Sequence, residues 1–138
     1  MIVVDASAAV EMLLHTPAGE SCSEQTRARP PAITAGHFDA EVYNGLRRVY
    51  FRRQIDRAWL GTLIDQLSSF DAERIALAPY LPGVVQLVDI IGSHDVFYVL
   101  LAISRGCPLL TCDGRLARAA ARLGVEVIGI ERRERPHR

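Results

Sequence analysis

The chain has 138 residues, of which 49% are hydrophobic, and its 16 basic and 16 acidic residues give a formal net charge of zero. That length suits one domain with a continuous core, and no apolar stretch approaches the roughly 20 residues needed to span a bilayer. Every basic residue apart from histidine is arginine, so any mechanism that needs a lysine is excluded. The amino terminus, Met-Ile-Val-Val-Asp, carries no basic region ahead of an apolar one and no cleavage site, so a cytoplasmic location is expected. Cys22, Cys107 and Cys112 are odd in number and form no C-x-x-C pair, which reads as small buried apolar residues rather than a zinc site or a disulfide framework.

Residues 2 to 5 read as a short buried strand that ends at Asp5, with a helix after it capped by Ser7 and turning Val10, Leu13 and Leu14 inward. Pro17 opens a weaker helical segment that Arg29-Pro30-Pro31 ends. From Gly36 to about Gln54 the residues Phe38, Val42, Leu46, Val49 and Phe51 recur near helical spacing, and a partner helix follows over Arg57 to Phe70, with Trp59, Leu60, Leu63, Ile64 and Leu67 as its apolar stripe. Arg74 to Ala78 is the second expected strand, stopped by Pro79. A short helix over Pro82 to Ile91 and another from about His94 to Gly106 come next. Leu109 to Cys112 is a third strand, Gly114 to Leu123 a helix closed by Gly124, and Val125 to Ile130 a last strand. Strands alternating with helices predict a three-layer α/β/α sandwich around a mostly parallel sheet of four to five strands. One domain over residues 1–131 is expected, followed by a charged tail, 132–138, that frays.

Asp5 and Asp113 each fall at the carboxyl end of an expected strand, where the loops and helix starts of an open parallel sheet converge on a site. Asp95 falls in the first turn of its helix and Glu41 in the first two turns of the long one, so all four acids can face one pocket. Each has a plain structural reading: a turn or cap for Asp5 and Asp113, a helix-dipole partner for Asp95, a solvated face for Glu41. Four unrelated caps, however, have no reason to collect at one edge. Carboxylates about 4 Å apart repel by roughly 4 kcal/mol per pair at an effective dielectric near 20, so a cluster of them requires protons or a cation. Oxygen donors select hard ions, which makes Mg²⁺ the expected occupant with Mn²⁺ as a substitute, and phosphodiester hydrolysis the expected chemistry.

The segments Val3-Val4-Asp5-Ala6-Ser7-Ala8, Ala40 to Arg48, His94 to Ala102 and Leu110 to Leu116 resemble the signature blocks of PIN-domain ribonucleases, and their order and spacing resemble the VapC toxins of bacterial toxin-antitoxin operons. The resemblance covers nearly the whole chain. It implies a PIN-like fold and a divalent-metal-dependent endoribonuclease, with Asp5, Glu41, Asp95 and Asp113 as catalytic metal ligands and Ser7 and Thr111 as polar support. It further implies a structured RNA substrate such as tRNA or rRNA, a small VapB-like antitoxin covering the acidic pocket, and a homodimer. His94 stands where many relatives have an aromatic residue. A local structural role is assigned to it, with a hydrogen-bonding group at the pocket edge as the alternative. Gly45 stands where alanine is common.

Arg47, Arg48, Arg52, Arg53 and Arg57 form a basic run that reads mainly as a solvated face. Arg48 and Arg52, offset by 7 and 11 residues from Glu41, return to nearly its helical angle and are the candidate RNA contacts, together with Arg115 beside Asp113. Tyr43, Tyr50, Phe51, Trp59 and Phe97 read as core or interface residues. Two other classes compete with the nuclease. A Mg-dependent phospho-acceptor domain needs a pocket lysine that this chain lacks, and a catalytically silent PIN-like binding module would have its carboxylates misplaced.

Overall fold

The structure, a computed structural model, describes residues 1–132. Its elements are β1 (Ile2–Val4), α1 (Ala6–Leu13), α2 (Pro17–Ala28), β2 (Ala32–Ala35), α3 (Phe38–Phe51), α4 (Arg57–Ser68), β3 (Glu73–Ile75), two 3₁₀ turns (Ala78–Gly83 and Val85–Leu87), α5 (Val96–Arg105), β4 (Leu109–Thr111), α6 (Gly114–Arg122) and β5 (Val127–Gly129). Five strands pair in the order β3-β2-β1-β4-β5, and every pairing is parallel. β1 is therefore central, hydrogen-bonded on both sides, with Val3 in register with Ile33 and Leu109.

Alternation along these short strands builds two cores. Ile2, Val4, Leu110 and Cys112 point to the layer of α1, α2, α3 and α4, where they meet Ala8, Ala9, Leu13, Val42, Leu46 and Leu63. Val3, Ile33, Ala35 and Leu109 point the other way, onto Val96, Val99 and Ala102 of α5 and Leu116 and Ala120 of α6. The chain is thus an α/β/α sandwich with an all-parallel five-stranded sheet.

Several expectations need correction. The strand β2 was absent from the sequence reading. The cap of α1 is Asp5, whose carboxylate accepts a hydrogen bond from the Ala8 amide at 2.9 Å, and not Ser7. The stretch expected as a helix over Pro82 to Ile91 forms only 3₁₀ turns. Pro79 and Pro82 remove amide donors there, and the β-branched Val84, Val85 and Val88 add little helix propensity. Phe51 and Trp59, expected on the inward stripes of their helices, are exposed instead, Phe51 at 62%. The charged tail, from residue 133 onward, lies outside the described residues.

The helices α1 and α2 approach closely because Gly19 lies directly against the backbone of Glu11 and Met12. A Cβ there would overlap the Glu11 carbonyl group, which is backbone and cannot swing aside. Gly19→Ala gains about 1 kcal/mol of helix propensity but incurs overpacking of roughly 1–3 kcal/mol or more. The variant should unfold at a clearly lower urea concentration than wild type. An unchanged midpoint would show that the two helices can separate without loss.

Candidate active site

Two chain segments build the floor of the site. Asp5 follows β1 directly, and its amide still donates to the Leu110 carbonyl at 3.2 Å, so the residue is locked to the sheet edge. Its carboxylate is 2% exposed and fully hydrogen-bonded. Oδ1 accepts from the Ser7 hydroxyl at 2.8 Å and from the Ala8 amide, and Oδ2 accepts from the Thr111 hydroxyl. Thr111 Oγ1 in turn accepts from the Asp113 amide at 3.0 Å, while Ser7 Oγ accepts from the Cys112 amide at 2.9 Å. Ser7 and Thr111 therefore stitch the ends of β1 and β4 together around Asp5. Asp113 caps α6, accepting from the Arg115 and Leu116 amides at 2.9 and 3.3 Å.

Asp95 occupies the cap position of α5 but makes no capping hydrogen bond. Its carboxylate is left free to face the cleft. Glu41 lies in the first turn of α3 and, like Asp5, has three partners. Tyr98 donates its hydroxyl proton to Oε1 at 2.9 Å, His37 Nε2 lies 2.6 Å from Oε1, and His94 Nε2 lies 2.9 Å from Oε2.

These surroundings act in opposite directions on the two groups of acids. Burial drives the Asp5 carboxyl up to about 7, against hydrogen bonds from Thr111, Ala8 and Ser7 that favour its charged form, and the charge of Asp95 adds to the rise. Asp95 is also raised, by burial first and then by the charges of Glu41 and Asp113. Burial would raise Glu41 too, but the close His37 imidazole, the Tyr98 hydroxyl and the charges of both histidines outweigh it, and its carboxyl is held below the ordinary range. The Tyr98 phenol is pushed up by burial and by Glu41, so it stays a donor.

Asp5, Ser7, Glu41, Asp95 and Asp113 all line one cleft of about 830 Å³, whose wall also carries Arg48, Arg52, His94 and Arg132. The four acids named from the sequence, drawn from four separate segments, thus share one cavity. Arg48 and Arg52 stand at its rim as exposed side chains, whereas Arg115 is exposed on α6 and is not part of the lining. His94, assigned a local structural role from the sequence, faces the cleft and contacts Glu41. His37 went unnoticed, although it stands four residues before Glu41, the spacing that stacks two side chains on one helical face. The most tightly gathered set of metal-type donors among the described residues is His37, Glu41 and His94, one atom from each lying within 4.8 Å of the others.

The PIN domain family model matches residues 2–122. The chain is 41% identical over 120 residues to the ribonuclease VapC12 of Mycobacterium tuberculosis, covering 86% of this chain and 92% of that protein. It is 36% identical to ribonuclease VapC3 of the same organism over 118 residues, 86% of each chain, and 28% identical to ribonuclease VapC9 over 117 residues, 85% of this chain and 89% of the other. This is a PIN-domain protein, and within that class it belongs to the VapC family.

The raised carboxyl of Asp5 has a consequence for stability. Between its ordinary pKa of 3.8 and about 7, the folded, metal-free chain holds a proton that the unfolded chain releases, so stability falls as pH rises through that window. A shift of this size corresponds to a few kcal/mol, on the order of 1.4 for each pH unit. In chelator, the melting temperature should be higher at pH 5 than at pH 8, and Asp5→Asn should remove most of the difference. A melting temperature that rises over that interval in wild type would contradict the assignment.

Proposed function

We propose that this protein is a divalent-metal-dependent endoribonuclease and the toxin of a VapBC-type pair, acting in the cytoplasm through one domain that spans residues 1–131. The observation that carries the reading is the convergence of Asp5, Glu41, Asp95 and Asp113 on one cleft. The donor set suits a hard cation, since it consists of carboxylate oxygens, and the elevated Asp5 and Asp95 carboxyls mark a place short of positive charge. Mg²⁺ is the proposed ion, with Mn²⁺ able to substitute, and Asp5, Glu41, Asp95 and Asp113 would hold it. When bound, such an ion lowers the pKa of a coordinated water and stabilises the charge that develops in phosphodiester hydrolysis.

The protein's own residues do the rest. Ser7 and Thr111 fix both oxygens of Asp5, so the carboxylate meets its ligand without reorganising. Tyr98 fixes Glu41 in the same way. Arg48 and Arg52, at the rim, would grip phosphate oxygens of a structured RNA such as a tRNA or rRNA loop and lead the scissile bond to the floor. The relatives' names, ribonuclease VapC12 and VapC3, support the same chemistry.

Exposed apolar side chains support the proposed partners. Tyr43, Phe51 and Trp59 flank the arginines on α3 and α4 and would seat a VapB-like antitoxin over the cleft. Leu81 and Val85 on the 3₁₀ turns, Val88 just after them and Ile103 on α5 are further large exposed apolar side chains, to which docking of a second copy of the chain is assigned. Val85 is 78% exposed.

Cleavage of RNA should require Mg²⁺ or Mn²⁺ and stop in excess chelator, and Asp5→Asn and Asp95→Asn should each reduce it by a factor of roughly 1,000 or more. Full activity in chelator, or near-wild-type activity of either variant, would refute the metal-dependent reading. Expression of the chain alone should arrest growth, the adjacent open reading frame should relieve the arrest, and Asp95→Asn should not arrest at all. A neighbour that neither binds nor rescues would remove the toxin-antitoxin pairing while leaving the nuclease standing.

A further inference from the structure

We propose that His37, Glu41 and His94 form a mixed nitrogen and oxygen site for a borderline divalent transition ion such as Mn²⁺, with Glu41 shared between this site and the carboxylate floor of Asp5, Asp95 and Asp113. The inference deepens the metal-dependent reading of the cleft and rests on it. Three features of the geometry carry it.

Separations between donor atoms match those around one ion. Ligands about 2.1 Å from a metal stand about 3 Å apart when they occupy adjacent positions. His37 Nε2 and Glu41 Oε1 are 2.6 Å apart, and His94 Nε2 and Glu41 Oε2 are 2.9 Å apart, one imidazole on each carboxylate oxygen. The two rings meet edge to face, with centroids 5.4 Å apart and planes at 85°, so their nitrogens converge on Glu41 from different sides.

His37 also lacks the partners that a buried imidazole needs. Both its ring nitrogens are shielded from solvent; among the described residues Nδ1 has no partner, and the one partner of Nε2 is Glu41 Oε1, a close contact outside ordinary hydrogen-bond geometry. With the ring neutral, an ion accepting the Nε2 lone pair would satisfy that nitrogen better than its contact with Glu41 does, at the cost of displacing a proton.

The surroundings hold the donors as outer groups hold metal ligands. The His37 ring is packed between Tyr98, at 5.0 Å between centroids, and Phe97, at 5.5 Å. Tyr98 further donates to Glu41 Oε1 and fixes the carboxylate. A set of two imidazoles and one carboxylate favours transition ions, because imidazole is a better ligand for them than for Mg²⁺. The cleft would then sort two kinds of ion, a hard one at the aspartates and a borderline one at the histidines.

Pulsed electron paramagnetic resonance on the untagged full chain with one equivalent of Mn²⁺ tests this directly, in the presence of a tenfold excess of Mg²⁺. Wild type should show couplings to imidazole nitrogen. His37→Gln and His94→Gln should each weaken Mn²⁺ binding by about tenfold or more, and the double variant should lose the couplings. His15→Gln, which alters an exposed histidine paired with Glu20, should leave the signal unchanged, and Asp95→Asn should retain it. A wild-type spectrum without imidazole couplings, or couplings that survive in the double variant, would overturn the proposal. Mg²⁺-dependent cleavage in a chain without those couplings would remove this site and keep the nuclease. Couplings in a chain that cleaves no RNA would support the site and remove the nuclease.

Discussion

Withdrawal of carboxylates from water at one edge of the sheet, compounded by their mutual repulsion, is the constraint around which the rest of the molecule is arranged. Asp5, Glu41, Asp95 and Asp113 line a common cleft, and Asp5 is almost wholly withdrawn from water. Burial is the largest cause of the raised carboxyls of Asp5 and Asp95, and the charges of the neighbouring acids add to it. The protein offsets the cost in two different ways. Around Asp5 it uses neutral donors, the Ser7 and Thr111 hydroxyls and the Ala8 amide, which orient the group but leave its carboxyl elevated. Around Glu41 it uses histidines and a tyrosine, which depress the carboxyl below its ordinary range. One acid is thus short of positive charge and the other already has a supply. That asymmetry separates the aspartate floor from the histidine-flanked wall.

The fold places these groups with little freedom. Parallel pairing on both sides of β1 fixes where the strand ends, and alternation buries Ile2, Val3 and Val4 on opposite faces, so that Asp5 is the first residue able to turn out at the sheet edge. The neighbouring strand β4 ends in register, which brings Thr111 within reach of the Asp5 carboxylate and Asp113 alongside it. Both aspartates cap helices, so the chemical role proposed for them would coincide with a structural one. The amides of α1 and α6 favour negative charge where the site needs it. A cap of this kind cannot be separated from function by mutation alone, whereas Asp95 caps nothing and its carboxylate is free of that duty.

Much of this was legible in the sequence, for identifiable reasons. The four acids could be found because each stands at a boundary that local signals mark: branched residues before Asp5, Asp-Gly at Asp113, and amphipathic spacing behind Glu41 and Asp95. The strand β2 could not, because Ala32-Ile33-Thr34-Ala35 is short, half alanine, and adjacent to a helix whose apolar spacing starts at Phe38. Its strand character comes from β1 and β3 on either side, a tertiary effect that no window of sequence contains. Helix ends over α3 and α4 were placed two or three residues too far out, where propensity continues but hydrogen bonds stop. The role of His94 depends on α3 and α5 meeting at the cleft, and only the fold supplies that. His37 was within reach, since its spacing to Glu41 is local.

The cleft also presents a contradiction that its charges resolve only together. An acidic floor repels the phosphates of RNA, and an arginine rim attracts them, so neither alone would bring a backbone to the centre. Arg48 and Arg52 are exposed and solvated, where each attraction is modest and screened by salt, whereas the floor is recessed and its field is screened less. An empty floor would therefore hold RNA off at the very point the rim delivers it to. Cations at the floor reverse the sign of the recessed field and leave the rim unchanged, and the cleft then becomes attractive along its whole length. If the cleft binds both as proposed, metal and RNA would bind cooperatively without any conformational change, because the ion would alter the field rather than the shape. An inhibitory partner of the kind proposed could use the same field: an arginine inserted at the floor would meet the same uncompensated carboxylates as the metal and would gain from neutralising them in the same way.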